Sequence, residues 1–424
     1  MLNPKQEQYW SEQDLQQELH RVYDICHGCR LCFNLCPSFG NLFKYIDAKD
    51  GEVGKLSRVE LDEVTDLCYQ CKLCFVKCPY TPPHKWEVDF PRLLLRDKAV
   101  RVKREGPTAQ DRFLGDPDRT GKIGCKMASL SNWSNRNTVV RGLMEKIAGV
   151  HRDRTLPEFH ATTFEHWFRK RKNGVKSRKK VAFFYTCFVN YNDPQQGIAT
   201  VEVLEKNGYE VVVPKQVCCG MPFLDGGEVD KATANMEENV QNFADVLTAG
   251  LPVVAPGPTC SYVLKQEFPF FTQNPAAAQM SKATMDVGEF LADLKSKKTL
   301  NTEFIDTPKR KIAYQIPCHL RAQNMGYKSM EVLRAIPNTR VQLMEHCSAM
   351  DGTWGMKKQF FELSLKLAGK LFKEVEESTA EEIATDCPLS ALQIQQGTGK
   401  KPAHPVEILH RAYGLSKDNK EGKQ

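Results

Sequence analysis

"QVCCGMPFLDGG", residues 216–227, sets Cys218 and Cys219 side by side ahead of Gly220. "EHCSAMDGTWG", residues 345–355, has the same shape, with His346 and Cys347 in the paired position. Two ligands on neighbouring residues demand unusual backbone angles, which is why a glycine stands beside the pair. Gly257, Gly352 and Gly355 are candidates for similar close approaches. Working outward, each block follows an extended apolar run, "YEVVVP" in the first case and "TRVQLM" in the second. "KKVAFFYTC" ends at Cys187 and "LPVVAPG" leads to Cys260, while "RKIAYQIPC" ends at Cys318 and "EEIATDC" at Cys387.

Helical stretches lie between these runs. One opens at Asn192, Asp193 and Pro194 and closes at Asn207 and Gly208; others fall around 229–248, in "SMEVLRAI" and in "KKQFFELSLKLAGKLFKEVEES". Cys187 and Cys318 are 131 residues apart, and Cys260 and Cys387 are 127 apart. "DVGEFLADL" at 286 also matches "HPVEILHRA" at 404. The sequence therefore predicts an internally duplicated α/β unit. In open α/β sheets the ligand sits beyond the carboxyl ends of the strands. Three strands per repeat, each delivering a cysteine there, make the thiolates converge.

The N-terminal part carries a different duplication. "CHGCRLCFNLCP" places Cys26, Cys29, Cys32 and Cys36 before Pro37, and "CYQCKLCFVKCP" places Cys68, Cys71, Cys74 and Cys78 before Pro79. Both read C-x2-C-x2-C-x3-C-P, the spacing of two-cluster bacterial ferredoxins, in which the fourth cysteine serves the other cluster. One [4Fe–4S] cluster is expected on Cys26, Cys29, Cys32 and Cys78, and a second on Cys68, Cys71, Cys74 and Cys36. Zinc sites use two pairs of ligands and do not fit duplicated quartets. Ser11 with Asp14 predicts a capping box on a helix whose Leu15, Leu19 and Val22 share one face. His84 reads as structural and the lone Cys125 as a small buried hydrophobe, while His151, His160 and His166 show no ligand spacing.

The bounds agree with metal and redox chemistry. A chain of 424 residues needs no disulfide staples, yet 16 cysteines stand mostly in tight groups. The polar start "MLNPKQEQYWSEQDLQQ" has no apolar signal segment, and no apolar run nears the roughly 20 residues that cross a bilayer. A cytoplasmic protein is expected, with any membrane contact peripheral and on the inner face. "FRKRKNGVKSRKK", residues 168–180, holds eight basic residues and no acid. It reads as a solvated linker, with an anionic membrane or acidic partner as the alternative. No recognition motif accompanies it, so nucleic acid is not expected as a partner.

The "CCGMP" block, with a cysteine about 30 residues before it and another about 40 after, resembles the cysteine-rich domain of the heterodisulfide reductase B-subunit family. Its union with a two-cluster ferredoxin resembles the C subunit of anaerobic glycerol-3-phosphate dehydrogenase and related iron–sulfur oxidoreductases; "CPYTPPHKW" and "LPEFHATTF" share in the likeness. The resemblance implies an α+β multidomain fold. It would comprise a helical two-[4Fe–4S] ferredoxin domain (1–110), a helical and basic connector (111–178), two cysteine-rich repeats (179–300 and 308–415) and a disordered tail (416–424). A full motif of that family ends in C-x2-C, but here the last positions are Val263 and Ser390. The first site keeps Cys187, Cys218, Cys219 and Cys260. The second keeps Cys318, Cys347 and Cys387, with His346 as the expected fourth metal ligand and His319 as its rival. Zinc or a further iron–sulfur cluster suits such sets. Asp351 reads as a turn residue.

The expected function is electron transfer between a flavin dehydrogenase partner and quinone. No G-x-G-x-x-G occurs, so a flavin or nicotinamide site is expected on another chain. Two alternatives are a soluble electron donor to a di-iron peroxidase and a heterodisulfide reductase-like thiol/disulfide reductase. The missing fifth cysteines weigh against the last.

Overall fold

In the computed structural model, which describes residues 2–172 and 174–416, the first long helix is Glu12–Cys29. Ser11 accepts a hydrogen bond from the Asp14 N–H, but the reciprocal half of the expected capping box is missing. The Asp14 carboxylate is taken instead by Arg96 and Gln8. Leu15, Leu19 and Val22 are buried on one face. They meet Phe39 and Phe43 of helix Pro37–Asp47, Leu61 of Arg58–Asp66 and Leu93 of Phe90–Glu105. Arg30 and Lys72, equivalent in the two cysteine runs, both take positive φ, 52° and 63°. The same left-handed turn therefore bends both loops.

Two parallel sheets follow. β1 (Lys180–Phe183), β2 (Glu210–Val212), β3 (Val253–Ala255) and β4 (Thr284–Asp286) are ordered β2-β1-β3-β4. β5 (Arg310–Gln315), β6 (Thr339–Met344) and β7 (Glu382–Thr385) are ordered β6-β5-β7. The three strands shared by the repeats thus keep one order. β4 was not foreseen; its counterpart in the second repeat is a single bridge between Ala384 and Ala403. The matching sequence ends have a structural basis. Asp286 with Glu289, and His404 with Glu407, form capping boxes on helices Val287–Ser296 and Pro405–Ala412. The helix expected over 229–248 is broken at Phe243 into Val229–Asn242 and Ala244–Thr248.

The repeats share one core. Val181, Phe183 and Val254 belong to the same buried cluster as Ile312, Tyr314 and Ala384. Helix Pro194–Lys206 packs on Pro405–Ala412, and Val287–Ser296 packs on Lys328–Leu333. Equivalent helices therefore exchange partners between repeats, and all the cysteine-bearing strand ends are brought to one region.

Four helices, Ala109–Gly115, Pro117–Lys126, Ala128–Arg136 and Thr138–Ala148, form a cap that packs on helices Cys187–Tyr191 and Met221–Asp225 of the first repeat and reaches Lys357 of the second through Asp111. Cys125 is buried there. The basic run is not free: Arg169 pairs with Glu165, Arg171 with Glu205, and Lys176 and Lys180 with Glu210. Residues 417–424 of the expected tail lie outside the described residues.

Candidate metal centres

A pocket of about 30 Å³ is walled by Cys26, Cys29, Cys32 and Cys78 together with Ile25, Phe39 and Phe43. Burial pushes the Cys26 thiol well up, and Cys32, Cys78 and Cys29 push it further. The last thiol of the second run thus faces the first three of the first run. The converse holds on the other side. Burial raises Cys74, and Cys71, Cys68 and Cys36 add to the shift. Burial lifts Cys36 to about 12, with Cys68 contributing. Four buried thiols that oppose one another's ionisation suit a cationic iron–sulfur core, which removes the repulsion.

In the first cysteine-rich site every thiol lies just past a strand. Cys187 starts helix Cys187–Tyr191 and Cys260 sits in helix Pro258–Tyr262. Between them, Gly220 has φ 94°, and a Cβ there would lie 3.0 Å from the Ala232 carbonyl oxygen. The adjacent pair is tied on both sides. Asp118 accepts the Cys218 N–H at 2.7 Å, while Asn235 and Asn239 donate to the Cys218 carbonyl at 3.2 and 3.3 Å. Cys260 donates to Cys219 at 3.5 Å. The Cys218 and Cys260 thiols, with the Met221 N–H, hold Cys219 well below the ordinary thiol range despite its burial. A thiolate is therefore stabilised at the centre of the four. Val263, at the lost fifth position, is fully buried.

The second site brings Cys318, Cys347 and Cys387 together. Burial pushes Cys318 well up, and Asp351, Cys71, Cys347 and Cys387 all add to it. His346, expected here as a ligand, stands apart from the three thiols in this structure. Its side chain is 51% exposed, with Nε2 4.0 Å from the Glu374 carboxylate. Neighbouring residues of an extended chain point to opposite sides. Gln315 donates to the His346 carbonyl at 3.3 Å and the Ala349 N–H to Cys347 Sγ at 3.2 Å. These bonds fix Cys347 inward and His346 outward.

His319 and Asp351 lie beside Cys318 instead. Their ligand atoms and Cys318 Sγ lie within 4.8 Å of one another. Both His319 nitrogens are engaged: Nε2 lies 3.0 Å from the Gln70 carbonyl and Nδ1 2.9 Å from Thr259 Oγ1. A carbonyl only accepts, so Nε2 carries the proton and Nδ1 accepts from the threonine. Burial drops the imidazole to about 4, so it is neutral. Asp351 is more than a turn residue, because its buried Oδ2 has no hydrogen-bond partner. Burial and the neighbouring Asp225 push the Asp351 carboxyl well up, and a metal beside its unmatched oxygen and Cys318 would offset both. Ser390, at the other lost position, bonds Ser348 at 2.8 Å and hydrogen-bonds Cys387.

The second ferredoxin run is the one seated on the repeats. Tyr69 Oη lies 3.9 Å from Cys347 Sγ, and its ring packs on Trp354. Lys72, 2% exposed, receives Glu267 as an ion pair at 3.4 Å, and Arg92 meets the same carboxylate at 3.1 Å. The first run lies outward, with Leu31 and Phe33 exposed. Cys387 in turn helps raise Cys260. Beyond Cys260 a cleft of about 270 Å³ opens, ending on Cys187, Cys218, Cys219, Cys260 and Cys387. Its walls are apolar: Phe113, Leu114, Met144, Phe159, Phe188 and Leu389.

Several of these residues escaped the reading of the sequence. Asp118 and Asp351 reach their partners across long chain separations and carry no local signal. Tyr69 and Gln70 were legible in principle, since they replace His27 and Gly28 between the first two cysteines of the matching first run.

Comparison with known proteins agrees with this layout. Residues 19–105 match the citrate utilization protein B Fer4-like domain, and residues 181–265 and 312–395 each match the cysteine-rich domain. The chain is 29% identical to the C subunit of anaerobic glycerol-3-phosphate dehydrogenase from Escherichia coli (strain K12), covering 72% of this chain and 78% of that one. It is 28% identical to lactate utilization protein A 1 of Bacillus mycoides, over 57% of this chain and 99% of the relative. A third relative is the B subunit of fumarate reductase (CoM/CoB) from Methanothermobacter marburgensis, at 26% identity over 56% and 46% of the two chains.

Proposed function

We propose that this iron–sulfur electron-transfer subunit, a Fer4-like domain joined to duplicated cysteine-rich domains, carries electrons between a flavin-containing dehydrogenase partner and a quinone. Cys26, Cys29, Cys32 and Cys78 would hold one [4Fe–4S] cluster, and Cys68, Cys71, Cys74 and Cys36 the other. Cys187, Cys218, Cys219 and Cys260 would hold a further iron–sulfur centre. Cys318, Cys347 and Cys387, with the Asp351 carboxylate as fourth donor, would hold a cluster or zinc. Such centres, when bound, supply one-electron carriers. The chain's own part is spacing and insulation. Tyr69, Trp354 and His319 fill the space between neighbouring sets, and Asp118, Asn235 and Asn239 hold the adjacent cysteines in place.

The observation that carries the acceptor is the apolar cleft ending on five cysteines, the shape and polarity that suit a planar lipophilic ring. The printed names of the glycerol-3-phosphate and fumarate relatives are those of subunits, which supports a partner that supplies the dehydrogenase chemistry. The test is reoxidation of the dithionite-reduced protein by a water-soluble menaquinone analogue. Leu114→Trp, which fills the cleft, is expected to slow that reaction about tenfold, ~1.4 kcal/mol in barrier, while oxidation by ferricyanide is unchanged. Equal rates in wild type and variant, or no reoxidation at all, contradict the reading.

A further inference from the structure

The helical cap over the cleft has an unusual outer face. Among the described residues, eight of the sixteen exposed large apolar side chains fall within 113–147. One, Phe113, also lines the cleft; the other seven form stripes at helical spacing: Ile123 and Met127, then Leu130 and Trp133, then Val139, Leu143 and Ile147. Val139 is 80% exposed, Ile147 69% and Trp133 55%. The opposite side of helix Thr138–Ala148 is accounted for, since Arg141 and Ala148 are buried and Met144 lines the cleft. An outer side this apolar, beyond the side already packed inward, is a further surface to cover.

The charge on this face has one sign. The other exposed residues between 112 and 148 are Arg112, Arg119, Lys122, Lys126, Arg136 and Lys146, with Ser129 and Thr138; among the described residues no exposed carboxylate occurs there. Asp118 is turned inward onto Cys218, and Glu145 is taken by Arg152. Arg136 pairs with Glu158, whereas Arg119, Lys122, Lys126 and Lys146 make no ion pair among the described residues. By contrast, four of the eight basic residues of the 168–180 run are already neutralised by carboxylates.

We infer that helices Pro117–Lys126, Ala128–Arg136 and Thr138–Ala148 are a docking surface for an anionic lipid bilayer. Their apolar stripes enter the interface and their lysines and arginines meet lipid phosphates. The inference rests on the quinone reading, because the same cap walls the cleft: Phe113, Leu114, Asn135 and Met144 line it from within. Docked in this way, the helices that wall the cleft lie on the bilayer, which shortens the path of a lipid-soluble ring to the cysteines. Among the described residues no helix is long and apolar enough to span a membrane, so the contact is one of a face lying on the surface.

The test is flotation of the full chain, purified without oxygen, with vesicles of phosphatidylcholine alone or mixed with phosphatidylglycerol. The wild type is expected to float with the mixed vesicles at low salt and to detach as salt rises. Trp133→Glu combined with Val139→Glu, and separately Lys122→Glu combined with Lys126→Glu, should each lower the partition coefficient about tenfold or more. None of these residues lines the cleft, so both variants should still reduce the water-soluble quinone analogue at the wild-type rate. Wild type that stays at the bottom of the gradient, or variants that float as well as wild type, overturn the surface. Normal flotation without quinone reduction sinks the proposed function and leaves the surface standing. Capture of this face by a partner protein, with no affinity for vesicles, also overturns it.

Discussion

At His346 a ligand-capable side chain occupies the paired position, half-exposed and near Glu374, while Cys347 faces the other thiols. The account predicts that His346→Ala leaves the iron and zinc content of anaerobically purified protein unchanged. Asp351→Asn, which keeps shape but weakens the donor, should lower metal at the second site; the reverse pattern in elemental analysis would restore the histidine. Gly220→Ala places a Cβ against the Ala232 carbonyl in a left-handed backbone. It should cost about 1–3 kcal/mol and empty the first cysteine-rich site, seen as lowered thermal stability with iron loss. Cys71→Ser should remove the second ferredoxin cluster from the electron paramagnetic resonance spectrum while the fold persists; both ferredoxin signals surviving would refute the ligand set.

Between elements, the joint that matters is the one that seats the second cysteine run on the repeats. Burial alone would raise the Glu267 carboxyl, yet Arg92 and Lys72 draw it down to about 2. A carboxyl depressed in the folded state contributes stability that is present above its unfolded value, about 4.3, and is lost as pH falls toward the folded one. Acid unfolding of the wild type should therefore include a loss between about pH 4.5 and pH 2 that Glu267→Gln lacks. The same substitution takes from Lys72 its ion-pair partner, while Arg92 keeps Asp89 at 3.4 Å, and should cost about 3–5 kcal/mol at neutral pH. Chemical denaturation of both proteins checks the pair, and equal stability would show that this joint is incidental.

Elements were also the most legible level of the sequence. Apolar runs ending in cysteine marked six of the seven strands, and their 127- to 131-residue recurrence marked the duplication. β4 was missed because "TMD" is too short to show alternation and is held by pairing with β3. The crossed grouping of Cys78 and Cys36 was readable from spacing, since the ligands of each loop are local. The surroundings of His319, named only as a rival ligand, and of Asp351, read as a turn residue, were not. They depend on Gln70, Thr259 and Asp225, residues that the fold alone brings near.

For the whole molecule, electron delivery to the cleft requires redox-active metal beyond the ferredoxin domain, because the cleft ends on the cysteine-rich sites and not on the cysteines of the two runs. The order of the sets in space supports a continuous connection: Cys71 faces Cys318, and Cys387 faces Cys260. The most direct measurement is iron and acid-labile sulfide per chain in protein purified without oxygen. The account predicts about twelve irons or more, the two ferredoxin cubanes plus at least one C-terminal cluster. About eight irons, with the remaining cysteines empty or holding zinc alone, would leave the cleft without a redox centre and contradict it.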